Sequence, residues 1–264
     1  MIVIGERING TSTRVREAVT SRNTEFIAQE ARRQAQAGAD YIDVNAGTPP
    51  DREPQDIVWL VEVVQTATEK PVSVDSPNPE ALKAGLEACQ GKALVNSVSA
   101  EEERLGPILT LAKAHDAGVV GLALGDAGLP KTADERLEVA KQVVAAADSL
   151  GISRDDLFID PLVRSVAIEN EQGAAFLDAV SAIRESLSGV HIVCGLSNVS
   201  FQMPSRKLLN RTFLAMAMAR GLDAAILDPL DAALMSVVCA GSVLLGNDDM
   251  CMEYIQAHRS GRLM

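Results

Sequence analysis

Aromatic residues are scarce in this chain, with five Phe, two Tyr and one Trp among 264 residues. So few π-faces leave no platform on which nucleic acid can stack. Positive charge is short as well. Against 36 Asp and Glu stand 24 Lys and Arg, a formal net charge of −12. Such a surface repels phosphate backbones and anionic lipid heads, so neither nucleic acid nor a membrane is expected as a partner. No apolar run reaches the roughly 18 residues of a bilayer-spanning helix. The opening MIVIGERING has neither the basic nor the apolar region of a secretion signal, and a cytoplasmic protein is expected.

Paired cysteines are missing too. Cys89, Cys194, Cys239 and Cys251 lie far apart, with no CxxC and no metal-like His neighbour, which predicts reduced, buried thiols. His115, His191 and His258 are the only histidines.

What the chain has is one pattern repeated eight times. Short apolar runs, Ile2–Ile4, Tyr41–Val44, Val72–Val74, Ala93–Val95, Val119–Ala123, Leu157–Ile159, His191–Cys194 and Ala224–Leu227, alternate with longer helical stretches. Each run is continuous rather than alternating, as in parallel strands covered on both faces. Ile57, Leu60, Val61, Val64 and Ala67 form one helical stripe, and Thr132 with Glu135 forms a capping box. Asp228 before Pro229 reads as an N-cap. Gly38, Gly118 and Gly221 read as helix-ending glycines. The expected fold is a single (β/α)8 TIM barrel over residues 1–264, a size at which such barrels form one domain. A doubly wound open sheet is the alternative, but GERING after Ile4 lacks the GxGxxG phosphate loop. A terminal helix is expected from about Asp248.

In a barrel the reactive groups sit at the C-terminal strand ends. Reading just past each run gives Glu6 and Asn9, Asp43 and Asn45, Asp75, Asn96, Asp126, Asp160, Asn198 and Asp228. No strand-end lysine is available for a Schiff base, and the histidines fall at a helix end, a strand start and the tail, away from a metal-hydrolase arrangement. No glycine-rich loop follows the last two strands to hold phosphate. Asp and Asn together suit a neutral heterocycle rich in N–H donors and ring-nitrogen acceptors, such as a pterin. Asp43 and Asp228 read equally well as helix caps. Asp75, Asn96, Asp160 and Asn198 read as ligand-facing, because four polar groups at one depth are costly to leave partly dry.

The segments IGERING (4–10), DYIDVNAG (40–47), VSVDS (72–76), ALVNS (93–97), LFIDPL (157–162), GLSNVS (195–200) and NRTFLAMAMARGLDAAILD (210–228) resemble the methyltetrahydrofolate:corrinoid methyltransferases, among the pterin-binding barrels. The resemblance covers essentially the whole chain. It implies that Asp75, Asn96 and Asp160 hold the pterin ring, and that Asn198 reaches N5. It places Gln202 and Arg206 near the aminobenzoyl-glutamate tail. It implies methyltetrahydrofolate or tetrahydrofolate as substrate, a corrinoid carried by another protein, no metal bound by this chain, and a homodimer, for which the apolar stretch Leu234 to Leu245 offers a surface.

Three alternatives stay open: a dihydropteroate synthase-like enzyme, a non-catalytic tetrahydrofolate-binding protein, and a metal-dependent lyase using Asp43, Asp75 and Asp160. Against the first, Ser197-Asn198 stands where that synthase carries a Ser-Arg-Lys run. His115-Asp116-Ala117-Gly118 is a near-miss to the corrinoid-binding Asp-x-His-x-x-Gly motif, with Lys113 in place of the aspartate, and reads as a helix end. In an amine methyl transfer N5 must gain or lose a proton. An amide at Asn198 stabilises the N5–H form, while the sequence leaves the proton's carrier unidentified.

Overall fold

Each continuous apolar run becomes a parallel strand because helices cover it outside and other strands' side chains fill the space inside. In the computed structural model, which describes residues 1–264, the strands are β1 (Ile2–Asn9), β2 (Tyr41–Asn45), β3 (Val72–Asp75), β4 (Leu94–Ser99), β5 (Gly118–Leu122), β6 (Leu157–Asp160), β7 (His191–Ile192) and β8 (Ala224–Leu227). Neighbours pair in parallel in the order β7-β6-β5-β4-β3-β2-β1-β8. The gap between β7 and β8 closes through a parallel bridge of Gly195 with Ile226, and Ile226 N–H donates to the Cys194 carbonyl at 2.9 Å. The expected (β/α)8 barrel is the observed one.

The helices are α1 (Thr13–Ser21), α2 (Thr24–Gln36), α3 (Glu53–Ala67), α4 (Pro79–Ala88), α5 (Glu102–Ala114), α6 (Ala133–Ser149), α7 (Gln172–Ser186), α8 (Arg206–Ala219), α9 (Ala232–Leu244) and α10 (Met252–Arg259). Two exceed the barrel's eight, α1 before α2 and α10 at the tail. On α3, Ile57, Leu60, Val61 and Val64 are fully buried, as their spacing requires. The Thr132–Glu135 capping box forms on α6. None of the helices is long and apolar enough to cross a membrane.

The core has two parts. A large cluster fills the space between strands and helices. A small one, Ile4, Leu94, Val120, Phe158, Val193 and Ala224, fills the barrel's inside. This inner layer makes the barrel a packed floor rather than a pore, and leaves room only above it.

Several sequence expectations need correction. β1 runs five residues beyond Ile4, so Glu6 and Asn9 lie within the strand. β7 ends at Ile192, which leaves Cys194 just past it. Asp228 does not cap α9; a turn intervenes, and Asp231 caps it by accepting from Leu234 N–H at 3.1 Å. Gly118 lies in β5, and the left-handed residue ending α5 is Asp116, at φ 51°. Gly38 and Gly221 do take positive φ after α2 and α8. His115 is the C-cap of α5, the helix end expected for that segment. Of the thiols only Cys194 is buried; Cys89 and Cys239 are half-buried and Cys251 is exposed.

Candidate active site at the barrel mouth

A cavity of about 660 Å³ opens above the inner layer, at the C-terminal ends of the strands. Its wall carries Glu6, Asp43, Asp75, Asn96, Asp160 and Asn198. Two strand irregularities shape it. The pairing of β1 with β2 shifts register between Gly5 and Ile8, and that of β4 with β5 shifts between Asn96 and Val98. Such bulges re-aim side chains at barrel rims. Where β1 and β2 end, Gly10 and Gly47 bring two backbones together; a Cβ on Gly10 would sit 2.7 Å from the Gly47 Cα.

Asp43 is buried, and it accepts from Ser73 Oγ at 2.6 Å and Asn96 Nδ2 at 3.0 Å. Asp75 accepts from Asn45 Nδ2 at 3.1 Å. Asn45 itself stays off the cavity wall and acts on the site through Asp75. Asp160 accepts from the Leu162 N–H at 2.7 Å and from the Gly195 N–H.

All of these donors are neutral, and they offset only part of the cost of holding a charge away from water. Burial pushes Asp160 up to about 7 despite those two backbone bonds. It pushes Asp43 up to about 6 against the bonds from Ser73 and Asn96. Asp75 is held well above the usual carboxylate range by burial and then by the neighbouring Asp43. Asp43, Asp75 and Asp160 do not form a group able to hold a metal ion.

Asn198 follows β7 on the short 3-10 turn Leu196–Ser200. It is exposed to the cavity, and its side-chain amide makes no hydrogen bond within the chain. Gly195 sits against it: a Cβ there would lie 3.0 Å from the Asn198 Nδ2. A glycine at 195 therefore leaves the amide its place.

A smaller cavity of about 330 Å³ adjoins the first and shares Glu6, Ser197 and Asp228 with it. Arg206 and Lys207 line this second space. Arg206 Nη2 donates to the Ser197 carbonyl at 2.8 Å and its Nε to Ser200 Oγ at 3.1 Å. Gln202 lies outside both cavities, exposed in the turn before α8 with φ at 65°. Asp228 lines both but is tied to Arg7 Nη1 at 2.9 Å.

The sequence-predicted Asp43, Asp75, Asn96, Asp160 and Asn198 thus share one cavity, with Asn45 behind Asp75 and Arg206 next door. Two residues of the site were given no role from sequence: Glu6, read only as one of the strand-end groups, and Ser197, noted only for standing where a synthase carries a Ser-Arg-Lys run.

A ring of carboxylates above an apolar floor, with an unpaired amide in the same wall, is a receptor for a flat, donor-rich heterocycle. Residues 5–228 match the family described as pterin binding enzyme. The chain belongs to that family.

Similarity of this pterin-binding enzyme to known proteins extends over its whole length. It is 38% identical to the methylcorrinoid:tetrahydrofolate methyltransferase of Eubacterium limosum over 265 residues, 100% of this chain and 98% of that one. It is also 30% and 28% identical to the methionine synthases of Mycobacterium leprae (strain TN) and Mycobacterium tuberculosis. Those matches cover 86% of this chain but 20% of each synthase. A dihydropteroate synthase from Xanthomonas albilineans superposes with a TM-score of 0.69 at 22% identity, covering 93% of this chain and 92% of that one. At that identity the likeness shows the barrel fold alone. The family resemblance read from IGERING through GLSNVS is borne out.

Proposed function

We propose that this protein is a methyltransferase that moves a methyl group between a corrinoid carried by a separate protein and N5 of tetrahydrofolate. The observation that carries the reading is the shared cavity: Asp75, Asn96 and Asp160 line it together with the unpaired amide of Asn198. A carboxylate accepts two parallel N–H bonds, which is what the 2-amino group and N3–H of a pterin offer. With the ring held by these side chains, N5 lies toward Asn198. The full-length similarity to a protein named for methyl transfer from methylcorrinoid to tetrahydrofolate supports the class of reaction and favours that direction.

Asn198 cannot exchange protons, so its part is electrostatic. An amide dipole turned toward N5 stabilises the charge that develops there as the bond to carbon forms or breaks. Asp75 and Asp160 fix the ring so that cobalt approaches in line with the N–C bond, and orientation of this kind lowers a barrier by several kcal/mol, of the order seen in intramolecular reactions. Arg206 and Lys207 in the adjoining space suit the carboxylates of the folate tail, and Gln202 is a weaker candidate from its place outside both cavities. The whole chain, 1–264, acts as one pterin-binding barrel domain in the cytoplasm.

The homodimer stays part of the proposal. Leu234 and Val238 of α9 pack into the chain's own core, but Leu244 and Leu245 at its end, with Met252 and Ile255 of α10, are exposed. A second copy covering this patch is what the reading expects, and light scattering that returns only a 28.0 kDa particle contradicts it.

The experiment for the function mixes purified protein, methyltetrahydrofolate and cob(I)alamin and follows the cobalt spectrum. Protein-dependent conversion to methylcob(III)alamin supports transfer. Folate binding without any spectral change would replace it with a non-catalytic tetrahydrofolate-binding protein.

A further inference from the structure

Methyl transfer to or from N5 needs a group that carries N5's proton, and the acids of the mouth are not equally free to be that group. Asp43 accepts from Ser73 and Asn96, Asp75 from Asn45, and Asp160 from two backbone N–H groups. Asp228 is bound to Arg7 and to the Leu230 N–H at 3.0 Å. Glu6 stands apart. Its only bond is a long one from Ser197 Oγ at 3.3 Å, longer than any on Asp43, Asp75 or Asp228, and one carboxylate oxygen has no partner, as in Asp43 and Asp75. It lines both the main cavity and the adjoining one. Its bonded neighbour Ser197 immediately precedes Asn198, and the Glu6 carboxylate and the Asn198 amide both line the main cavity.

We infer that Glu6 is the catalytic residue that takes and returns the proton of N5, with Asn198 as its non-titrating partner. This rests on the methyl-transfer reading above. In the direction of folate methylation, the N5 lone pair forms the new N–CH3 bond. The Co–CH3 bond breaks, and its electron pair stays on cobalt, which passes from cobalt(III) to cobalt(I). N5, now positively charged, gives its proton to the Glu6 carboxylate, and the proton leaves to solvent through the open mouth. In reverse, the Glu6 carboxyl protonates N5 as cobalt(I) takes the methyl group.

The surroundings suit a group that is poised between its two forms at neutral pH. Burial first, and then Asp228 of the loop after β8 and Asp43 of β2, push Glu6 up; Ser197 and the Arg206 guanidinium of α8 oppose them, and Glu6 settles at about 7. Arg7, its neighbour on β1, is occupied by Glu30 and Asp228. The Cys194 thiol after β7 is held protonated by burial.

The test measures transfer in both directions against pH, for the wild type, Glu6→Gln and Ser197→Ala, with tetrahydrofolate affinity measured alongside. In the wild type, transfer to tetrahydrofolate rises and transfer from methyltetrahydrofolate falls as pH passes upward through about 7. Glu6→Gln lowers both rates by about 10²-fold or more, the scale of general acid–base catalysis, and removes this pair of opposed limbs. Its tetrahydrofolate affinity changes by less than about threefold. Ser197→Ala, which removes a bond to the charged carboxylate, moves the limbs to higher pH; this variant decides the matter if Glu6→Gln fails to fold. Near-normal rates with unmoved limbs in Glu6→Gln, or unmoved limbs in Ser197→Ala, overturn the role of Glu6 and leave the transfer reading standing. No transfer by the wild type in either direction overturns both.

Discussion

At the N-terminal end of the barrel, Asp223 pairs with Arg184 Nη2 at 2.9 Å and His191 Nδ1 at 3.1 Å, and it accepts from the Ile192 N–H at 2.7 Å. Burial alone would raise its pKa, but these partners outweigh it and hold Asp223 below the usual carboxylate range. At the other end, Asp43, Asp75 and Asp160 meet only neutral donors, and burial raises all three. The strands and the inner layer are common to both ends. The difference is whether a cation is bonded to the acid, and it separates groups that hold the fold together from groups kept for something else to satisfy.

The two ends therefore respond to pH with opposite signs. Asp223 has a folded pKa below its unfolded one, so its contribution is present above about pH 4 and is lost as pH falls. Asp160 has a folded pKa near 7, above its unfolded value, so the folded state binds the extra proton. Stability is lost as pH rises from about 4 through about 7.

The largest effect expected at the mouth is catalytic. Asn198→Ala should lower methyl-transfer turnover by about 10²–10³, the scale for removing one transition-state donor, while tetrahydrofolate affinity changes much less. Equal losses in both would make Asn198 a ground-state binder. The sharper variant is Asn198→Asp, whose activity should rise as pH falls and the new carboxyl gains its proton; a flat profile near wild-type turnover would remove residue 198 from the mechanism.

Stability gives the next largest effect. Asp160→Asn keeps an acceptor for the Leu162 and Gly195 N–H groups and removes the buried charge. Thermal unfolding near pH 8 should show stabilisation on the order of 2–4 kcal/mol, shrinking toward pH 5. A destabilised Asp160→Asn protein at pH 8 would mean that the mouth is no less compensated than the opposite end.

Smaller still, Asp75→Ala or Asp160→Ala should weaken tetrahydrofolate binding by about 1–3 kcal/mol, the usual loss for a charged hydrogen-bond partner. Unchanged affinity in both variants would place the pterin elsewhere. At the other end, Asp223→Asn should cost about 1 kcal/mol, a shift of a few degrees in melting temperature, with folate affinity untouched.

The apolar runs and the residues after them made the barrel and most of its mouth legible in the sequence. Val72–Val74 and Ala224–Leu227 could only be buried parallel strands, and Asp75 and Asp160 followed from where such strands end. Glu6 was harder to assign because β1 continues past its apolar start, carried by pairing of Ile8 and Asn9 with β2, which composition does not display. The resemblance placed Gln202 and Arg206 together near the folate tail, but the turn with Ser205 at φ 53° lies between them, and only Arg206 lines a cavity. The α9 cap was misplaced for a similar reason: Asp228-Pro229 and Asp231 are both good starts, and the ion pair of Asp228 with Arg7, 221 residues away, decides between them.

Proton linkage is the most direct test of what the uncompensated acids are for. If Asp75 and Asp160 meet the N–H donors of a pterin, binding favours their charged forms and drives protons off. Calorimetric titration of tetrahydrofolate at about pH 6.5, in buffers of different ionisation enthalpy, should show net proton release. Affinity should weaken as pH falls below about 7, and the release should shrink in Asp160→Asn. Binding with no proton exchange and a flat affinity between about pH 5.5 and 8 would contradict the account.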